Sequence, residues 1–200
     1  MNTIPSRQHP TGSLANAIAY YYEQIKLAST VHIVTRLDRD TSGLVLIAKH
    51  RHAHHLLSQM QKKGEIERFY EAFAGGMMEK DIGRIDEPIG RKLDSIIERE
   101  VRSDGQKAVT RYKVIQTTSS FSYVKLKLET GRTHQIRVHL AYIGHPLLGD
   151  DLYGGKRTLI NRQALHCQQI KLTHPITQEN LSIQAELPED MQELLNRESL

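Results

Sequence analysis

The sequence predicts an α+β fold: a largely antiparallel mixed sheet with flanking helices. Three observations predict it. Two neighbouring runs, Ala108 to Gln116 and Ser122 to Glu129, look like a strand pair, and in the second Val124, Leu126 and Leu128 alternate with Tyr123, Lys125 and Lys127. Two segments near the amino terminus carry apolar residues at helical spacing instead. Strands and helices do not alternate along the chain as a parallel βαβ series requires.

The elements follow in order. Residues 1–12 read as a loop, broken by Pro5, Pro10 and Gly12. Ser13 to Leu27 reads as a helix with Leu14, Ala17, Ile18, Tyr21 and Ile25 on one face. Val31 to Val34 and Gly43 to Lys49 read as strands, rich in β-branched residues. Arg51 to Lys63 is a second helix, with Ala53, Leu56, Leu57 and Met60 on one face and Gly64 as its stop. Arg68 to Ala74 is a strand ended by Gly75 and Gly76. Glu79 to Gln106 is polar and broken by glycine and proline, and reads as loops with short strands. After the central strand pair, Thr133 to Ile143 is a helix that Thr133 can cap, stopped by Gly144 and Pro146. Gly149 to Gly155 is a turn-rich loop, and Ala164 to Leu172 and Leu181 to Ala185 close the chain as strands.

Composition limits the function classes. The 200 residues are 38% apolar and 25% charged, enough for one or two globular domains. Net charge is +4, which is compatible with a nucleic-acid partner without requiring one. The single cysteine, Cys167, excludes an internal disulfide and a four-cysteine zinc site. No apolar run approaches the roughly 20 residues of a membrane span, and the first residues lack the apolar stretch of a signal peptide. These features predict a cytoplasmic protein.

Candidate chemistry starts at Asp38, in a charged turn between two apolar runs. Arg36 and Arg39 flank it, and a nearby guanidinium favours the ionised carboxylate that a nucleophile needs. The plainer reading is a strand-end turn, with Asp40, Thr41, Ser42 and Gly43 as ordinary turn residues. Arg132 sits just outside the amino end of the helix at Thr133, placed to hold a carboxylate or phosphate. His134, Gln135, Arg137 and His139 add donors around that helix. The plainer reading makes them a solvated face, with Ile136, Leu140 and Ile143 turned to the core. Tyr70 alternates with Phe69 in an aromatic strand; it can stack on a base or belong to the core. His50, His52, His54 and His55 lack acidic or cysteine partners, so a polar helix face is preferred to a metal site.

Three separated motifs point one way. Thr35-Arg36-Leu37-Asp38-Arg39-Asp40-Thr41-Ser42-Gly43 resembles the Arg-Leu-Asp signature of the RluA-type pseudouridine synthases. Thr130-Gly131-Arg132-Thr133-His134-Gln135-Ile136-Arg137-Val138-His139 resembles that family's basic motif. Gly144 to Asp150, with Leu152-Tyr153-Gly154 behind it, resembles its next segment, and Leu165-His166 and Thr173-His174-Pro175 also fit. The resemblance runs from Met1 to Pro188.

The resemblance implies a pseudouridine synthase fold with a central RNA-binding cleft, residues 1–200 forming its catalytic domain. It implies isomerisation of uridine in ribosomal or transfer RNA to pseudouridine, with no metal or organic cofactor, by a cytoplasmic monomer. Asp38 matches the catalytic aspartate. Tyr70 matches the tyrosine that stacks on the uracil and is implicated in proton removal at C5. Arg132 matches the basic residue paired with the catalytic carboxylate, and Arg36 the arginine that enters the helix as the base leaves. Arg39, His134, Gln135 and Arg137 complete the expected RNA contacts. Two departures stand out. Thr35 replaces a histidine common in the family. The chain also begins after the strands and Lys-Pro motif with which members usually open, so the first strands and an S4-like domain are expected to be missing. Two other classes compete: an inactive RNA-binding relative, and a Mg-dependent phosphatase of haloacid-dehalogenase type, which Asp38-Arg39-Asp40-Thr41 and Asp150-Asp151 resemble.

Overall fold

The computed structural model describes residues 3–5, 7 and 9–198; positions 1, 2, 6 and 8 of the expected amino-terminal loop lie outside them. Helix α1 (Leu14–Gln24) starts at Ser13, whose hydroxyl accepts from the Asn16 N–H while the Asn16 side chain accepts from the Ser13 N–H. That reciprocal cap satisfies two otherwise free donors. Two short strands follow, β1 (His32–Ile33) and β2 (Ser42–Gly43), then β3 (Ile47–Ala48) and helix α2 (Arg51–Lys63). Gly64 ends α2 in the left-handed conformation, φ 76°.

The main sheet holds β4 (Glu67–Gly75), β5 (Ile82–Asp86), β8 (Val109–Thr117), β9 (Phe121–Leu128), β10 (Leu165–Thr173) and β11 (Asn180–Gln184). Their order is β11-β10-β4-β9-β8-β5, antiparallel throughout, and β2 adds a parallel pair to β10. Between β5 and β8 lies a separate hairpin, β6 (Ile89–Arg91) and β7 (Arg99–Val101). Helix α3 (Gln135–Tyr142), a single 3₁₀ turn (Asp151–Tyr153) and helix α4 (Glu189–Glu198) complete the chain. The mixed sheet with flanking helices agrees with the sequence reading, and it lacks the alternating βα units that a haloacid-dehalogenase fold requires.

Strand β4 lies between β10 and β9 and sorts its side chains by the two-residue period. Tyr70, Ala72 and Ala74 join the main core beneath α2 and α3, with Leu57, Ile136 and Leu140. Phe73 points the other way and packs on Phe121, Met191 and Leu194, so α4 covers part of the opposite face. The sequence reading misses α4, although Pro188, Glu189 and Asp190 open it as a helix start should.

The strand expected over Gly43 to Lys49 is divided. Gly43 pairs with Cys167 on β10, Leu44 N–H still donates to the Cys167 carbonyl at 3.0 Å, and Ile47 and Ala48 then pair with β1. The chain changes partner within four residues, which one regular strand cannot do. Gly43 makes this possible: its φ is +108°, and an added Cβ would lie 2.3 Å from the Cys167 carbonyl oxygen. Gly43→Ala is therefore expected to lower unfolding free energy by about 2 kcal/mol or more, because backbone strain and a backbone clash combine. A urea titration measures it, and an unchanged midpoint would show that β2 does not need this approach.

Candidate active site

The turn that carries Asp38 is braced from four directions. Thr35, at the start, is buried, and its hydroxyl oxygen accepts from the Leu46 N–H at 2.8 Å. Thr41 N–H closes the turn onto the Asp38 carbonyl at 3.1 Å, with Asp40 between them at positive φ, 66°. Gln163 donates its amide to the Arg39 carbonyl and to Thr41 Oγ1. Ser42 Oγ lies 2.9 Å from His166 Nδ1. Burial pushes the His166 pKa down, so the imidazole is neutral near pH 7. Gln163 and His166 carry no recognisable signal as turn supports, because their partners are more than 120 residues away.

Asp38 faces a cavity of about 560 Å³, which Arg36, Arg39, Tyr70, Arg132, His134 and Gln135 also line. One cavity thus gathers every predicted site residue except Arg137. Tyr70 is both core and wall: it is 5% exposed, packed in the main cluster, and open to the cavity. Burial, with Cys167 beside it, pushes the Tyr70 hydroxyl well above the ordinary tyrosine range, so it stays protonated at neutral pH. Arg39 is 85% exposed and leans on Asp40 at 3.5 Å. Arg36, Arg68 and Arg132 line the cavity and form no ion pair among the described residues.

The expected pairing of Arg132 with Asp38 is not what the structure holds. Arg132 lies exposed, with its Nε donating to the Lys107 carbonyl at 3.0 Å. The cation beside Asp38 is Arg137, Nη1 to Oδ2 at 3.8 Å. The sequence reading places Arg137 on a solvated helix face as an RNA contact. It is buried instead, donating through Nε and Nη2 to both carboxylate oxygens of Asp150 at 2.7 Å. Its guanidinium also lies over the Tyr153 ring, 4.9 Å from the centroid. Asp150 is 1% exposed. Asp38, Arg137 and Asp150 therefore form a line of alternating charge running from the cavity wall into the interior.

The solvated-face reading of α3 fails for a definite reason: both sides of this short helix are packed. Ile136 and Leu140 enter the main core as expected. Gln135 and His139, one turn apart, meet Thr110 on β8. Gln135 donates to the Val109 carbonyl and Thr110 Oγ1, and accepts from Thr130 Oγ1 and the Arg132 N–H. All four of its hydrogen-bonding positions are used, so Gln135 fixes the Gly131–Arg132 loop and is not free to contact RNA as expected. Thr133 is not the cap. His134 occupies that position in the left-handed conformation, φ 57°, and has no side-chain capping bond. Its Nδ1 instead lies 2.7 Å from the Tyr153 hydroxyl, which already accepts from the Arg99 N–H at 3.0 Å. Burial lowers the His134 pKa and pushes the Tyr153 hydroxyl up to about 12, which suits a neutral imidazole accepting the phenolic hydrogen.

Among the described residues no group of three His, Cys, Asp or Glu side chains is arranged to hold a metal ion, and no helix is long and apolar enough to cross a membrane.

The family model described as RNA pseudouridylate synthase matches residues 4–142. The chain is 54% identical to the uncharacterised RNA pseudouridine synthase YjbO of Bacillus subtilis, over 100% of this chain and 70% of that protein. It is 42% identical to the ribosomal large subunit pseudouridine synthase D of Haemophilus influenzae, over 96% of this chain and 63% of that one. The chain thus spans about two thirds of the length of these relatives. The solved human RNA pseudouridylate synthase domain containing 4 superposes with a TM-score of 0.79 at 22% identity, over 100% of this chain and 87% of that one, a likeness of fold.

Two outcomes follow from this geometry. Asp150→Asn leaves a buried guanidinium short of charge and should cost about 3–5 kcal/mol in a denaturant titration; Arg137→Met with Asp150→Leu should recover most of that stability. Equal stability of Asp150→Asn and the parent would mean the pair is not buried as described. The second concerns pH. Burial depresses His134 and His139, so the unfolded chain takes up their protons at higher pH than the native state does. Stability from their neutral burial is complete above an unfolded pKa of about 6.5 and is lost as pH falls through the native values. The melting temperature should fall between about pH 7 and pH 5, and less steeply in His139→Gln; parallel curves would exclude His139 as a contributor.

Proposed function

The chain belongs to the RNA pseudouridylate synthase family, and from that premise we propose that it isomerises uridine to pseudouridine in structured RNA. One observation carries the proposal: a partly exposed carboxylate and a buried tyrosine share one cavity with Arg36, Arg68 and Arg132, three arginines without carboxylate partners among the described residues. A uridine inside a helix is out of reach, so the nucleotide must leave its stack. Arg36, exposed two residues before Asp38, takes the space it vacates. The uracil lies against Tyr70, and Asp38 meets the sugar, oriented by Arg137 at its back. The N1–C1′ bond breaks, the base turns, C5 bonds to C1′, and the proton lost from C5 is balanced by one gained at N1. Composition is unchanged, and no metal or organic cofactor is required. Arg68 and Arg132 receive phosphates at the rim.

Ribosomal RNA is the substrate we favour over transfer RNA, since several relatives are named for the large ribosomal subunit. We read residues 1–200 as one catalytic domain acting as a cytoplasmic monomer.

Asp38→Asn should reduce tritium release from C5-labelled uridine in bulk RNA on the order of 10³-fold or more, while RNA affinity stays within a few-fold. Release by the parent should persist in EDTA. Binding without release by the parent would point to the inactive relative, and Mg-dependent phosphate release to the phosphatase. Full activity of Asp38→Asn would refute the assignment.

A further inference from the structure

A second cavity adjoins the first. It measures about 380 Å³ and meets the catalytic cleft along Gly131, Arg132 and Thr133, which line both. Its other walls come from the β6–β7 hairpin and the Asp104–Gln106 segment, and they include Arg91 and Arg99. Three guanidiniums therefore surround it, and none forms an ion pair among the described residues. Several arginines elsewhere on the surface do: Arg84, Arg102, Arg111, Arg157 and Arg162 each face a carboxylate.

The three are held by neutral oxygens. Arg91 donates from Nη2 to the Ile96 carbonyl at 2.8 Å, Arg99 from Nη1 to the Ile97 and Glu98 carbonyls, and Arg132 from Nε to the Lys107 carbonyl. Carbonyls orient a guanidinium without cancelling its charge, and each fork keeps free N–H groups. The neighbouring acids are matched by other cations. Glu98 takes Lys92, Asp104 accepts from Nε and Nη2 of Arg102, and Glu100 lies 3.6 Å from Arg102. Asp104 is the one carboxylate on the wall. The floor is backbone: an added Cβ on Gly105 would lie 2.5 Å from the Ile89 carbonyl carbon. The hairpin is anchored, with Ile89 and Val101 packed on Ala108, Val138 and Tyr153, and the Arg99 N–H bonded to the Tyr153 oxygen.

An anchored cavity with three unpaired guanidinium forks matches phosphate, which arginine binds in a bidentate manner. We propose that this cavity is a phosphate subsite for the RNA backbone, holding a phosphodiester next to the flipped nucleotide through Arg91, Arg99 and Arg132. The inference rests on the RNA reading of the adjoining cleft. Arg132, common to both cavities, links consecutive phosphates of one strand, which explains why it turns away from Asp38. The same hairpin reaches Arg137 through Tyr153, so a strand seated here bears on the element that orients the catalytic carboxylate.

The test is equilibrium binding of a fluorescein-labelled, uridine-rich stem–loop RNA to the full chain across a salt series, with turnover measured in parallel. Arg91→Ala with Arg99→Ala should flatten the plot of log affinity against log salt by about two, one for each phosphate no longer neutralised. KM should rise several-fold with little change in kcat. Arg91→Lys with Arg99→Lys should restore most of the slope, which a misfolded hairpin would not allow. Arg111→Ala, which removes a β8 side chain paired with Glu129 just past β9, should match the parent. A parent that binds RNA with a slope unchanged in the double alanine variant would overturn the subsite and leave the cleft reading intact. A parent that binds but does not turn over, with the slope lowered in the variant, would support the subsite and contradict the activity. A parent that does not bind RNA would overturn both.

Discussion

Arg137 is a permanent cation buried beneath a sheet, and much of the site is arranged around meeting its charge. A guanidinium removed from water needs a carboxylate and satisfied hydrogens. Asp150 supplies both oxygens from the loop after α3, and that loop must fold back under the helix to do so. Tyr153 then covers the guanidinium's flat face, gives a hydrogen bond to His134 and accepts one from the Arg99 N–H of the hairpin. The remaining edge of the guanidinium faces Asp38. One buried charge thus fixes the distance between the cleft, α3 and the hairpin, and it orients the carboxylate that the proposed chemistry uses.

The sheet gives that charge its surroundings. Strand β4 presents Tyr70 to the cleft and Phe73 to the opposite face, so one strand serves the site and the second core together. β10 does two jobs along its length: it pairs with β4 on one side, and at His166 and Cys167 it accepts β2 on the other. The turn that carries Asp38 therefore hangs from β10, where the pairing of β2 and the Gln163 amide hold it against movement. Holding a reacting group in its productive position lowers the barrier by avoiding the entropy of bringing it there.

Much of the fold is legible in the sequence. α2 runs from Arg51 to Lys63 with Gly64 as its stop, because amphipathic spacing and a left-handed terminator are local signals. β9 is legible from alternation. What escapes is non-local. Arg137, Gln135 and His139 look like the polar side of a surface helix, and only the packing of β8 and of the 149–155 loop on that side buries them. Arg132 and Arg137 lie five residues apart in one basic motif, and spacing alone does not say which one faces Asp38. The break between β2 and β3 depends on a partner 124 residues away, which no local window contains. The motif Gly149-Asp150 with Leu152-Tyr153-Gly154 stands out as a resemblance, yet its role is visible only where Asp150 and Tyr153 close around Arg137.

We propose that Asp38, oriented by Arg137 and facing Tyr70, isomerises a flipped uridine. The most direct measurement is nucleotide-resolution mapping of pseudouridine in unmodified ribosomal and transfer RNA transcripts incubated with the purified chain, beside Asp38→Asn. The parent should convert one or a few defined uridines and the variant none. A folded, RNA-binding parent that leaves every uridine unchanged, or a variant that converts the same positions, would contradict it.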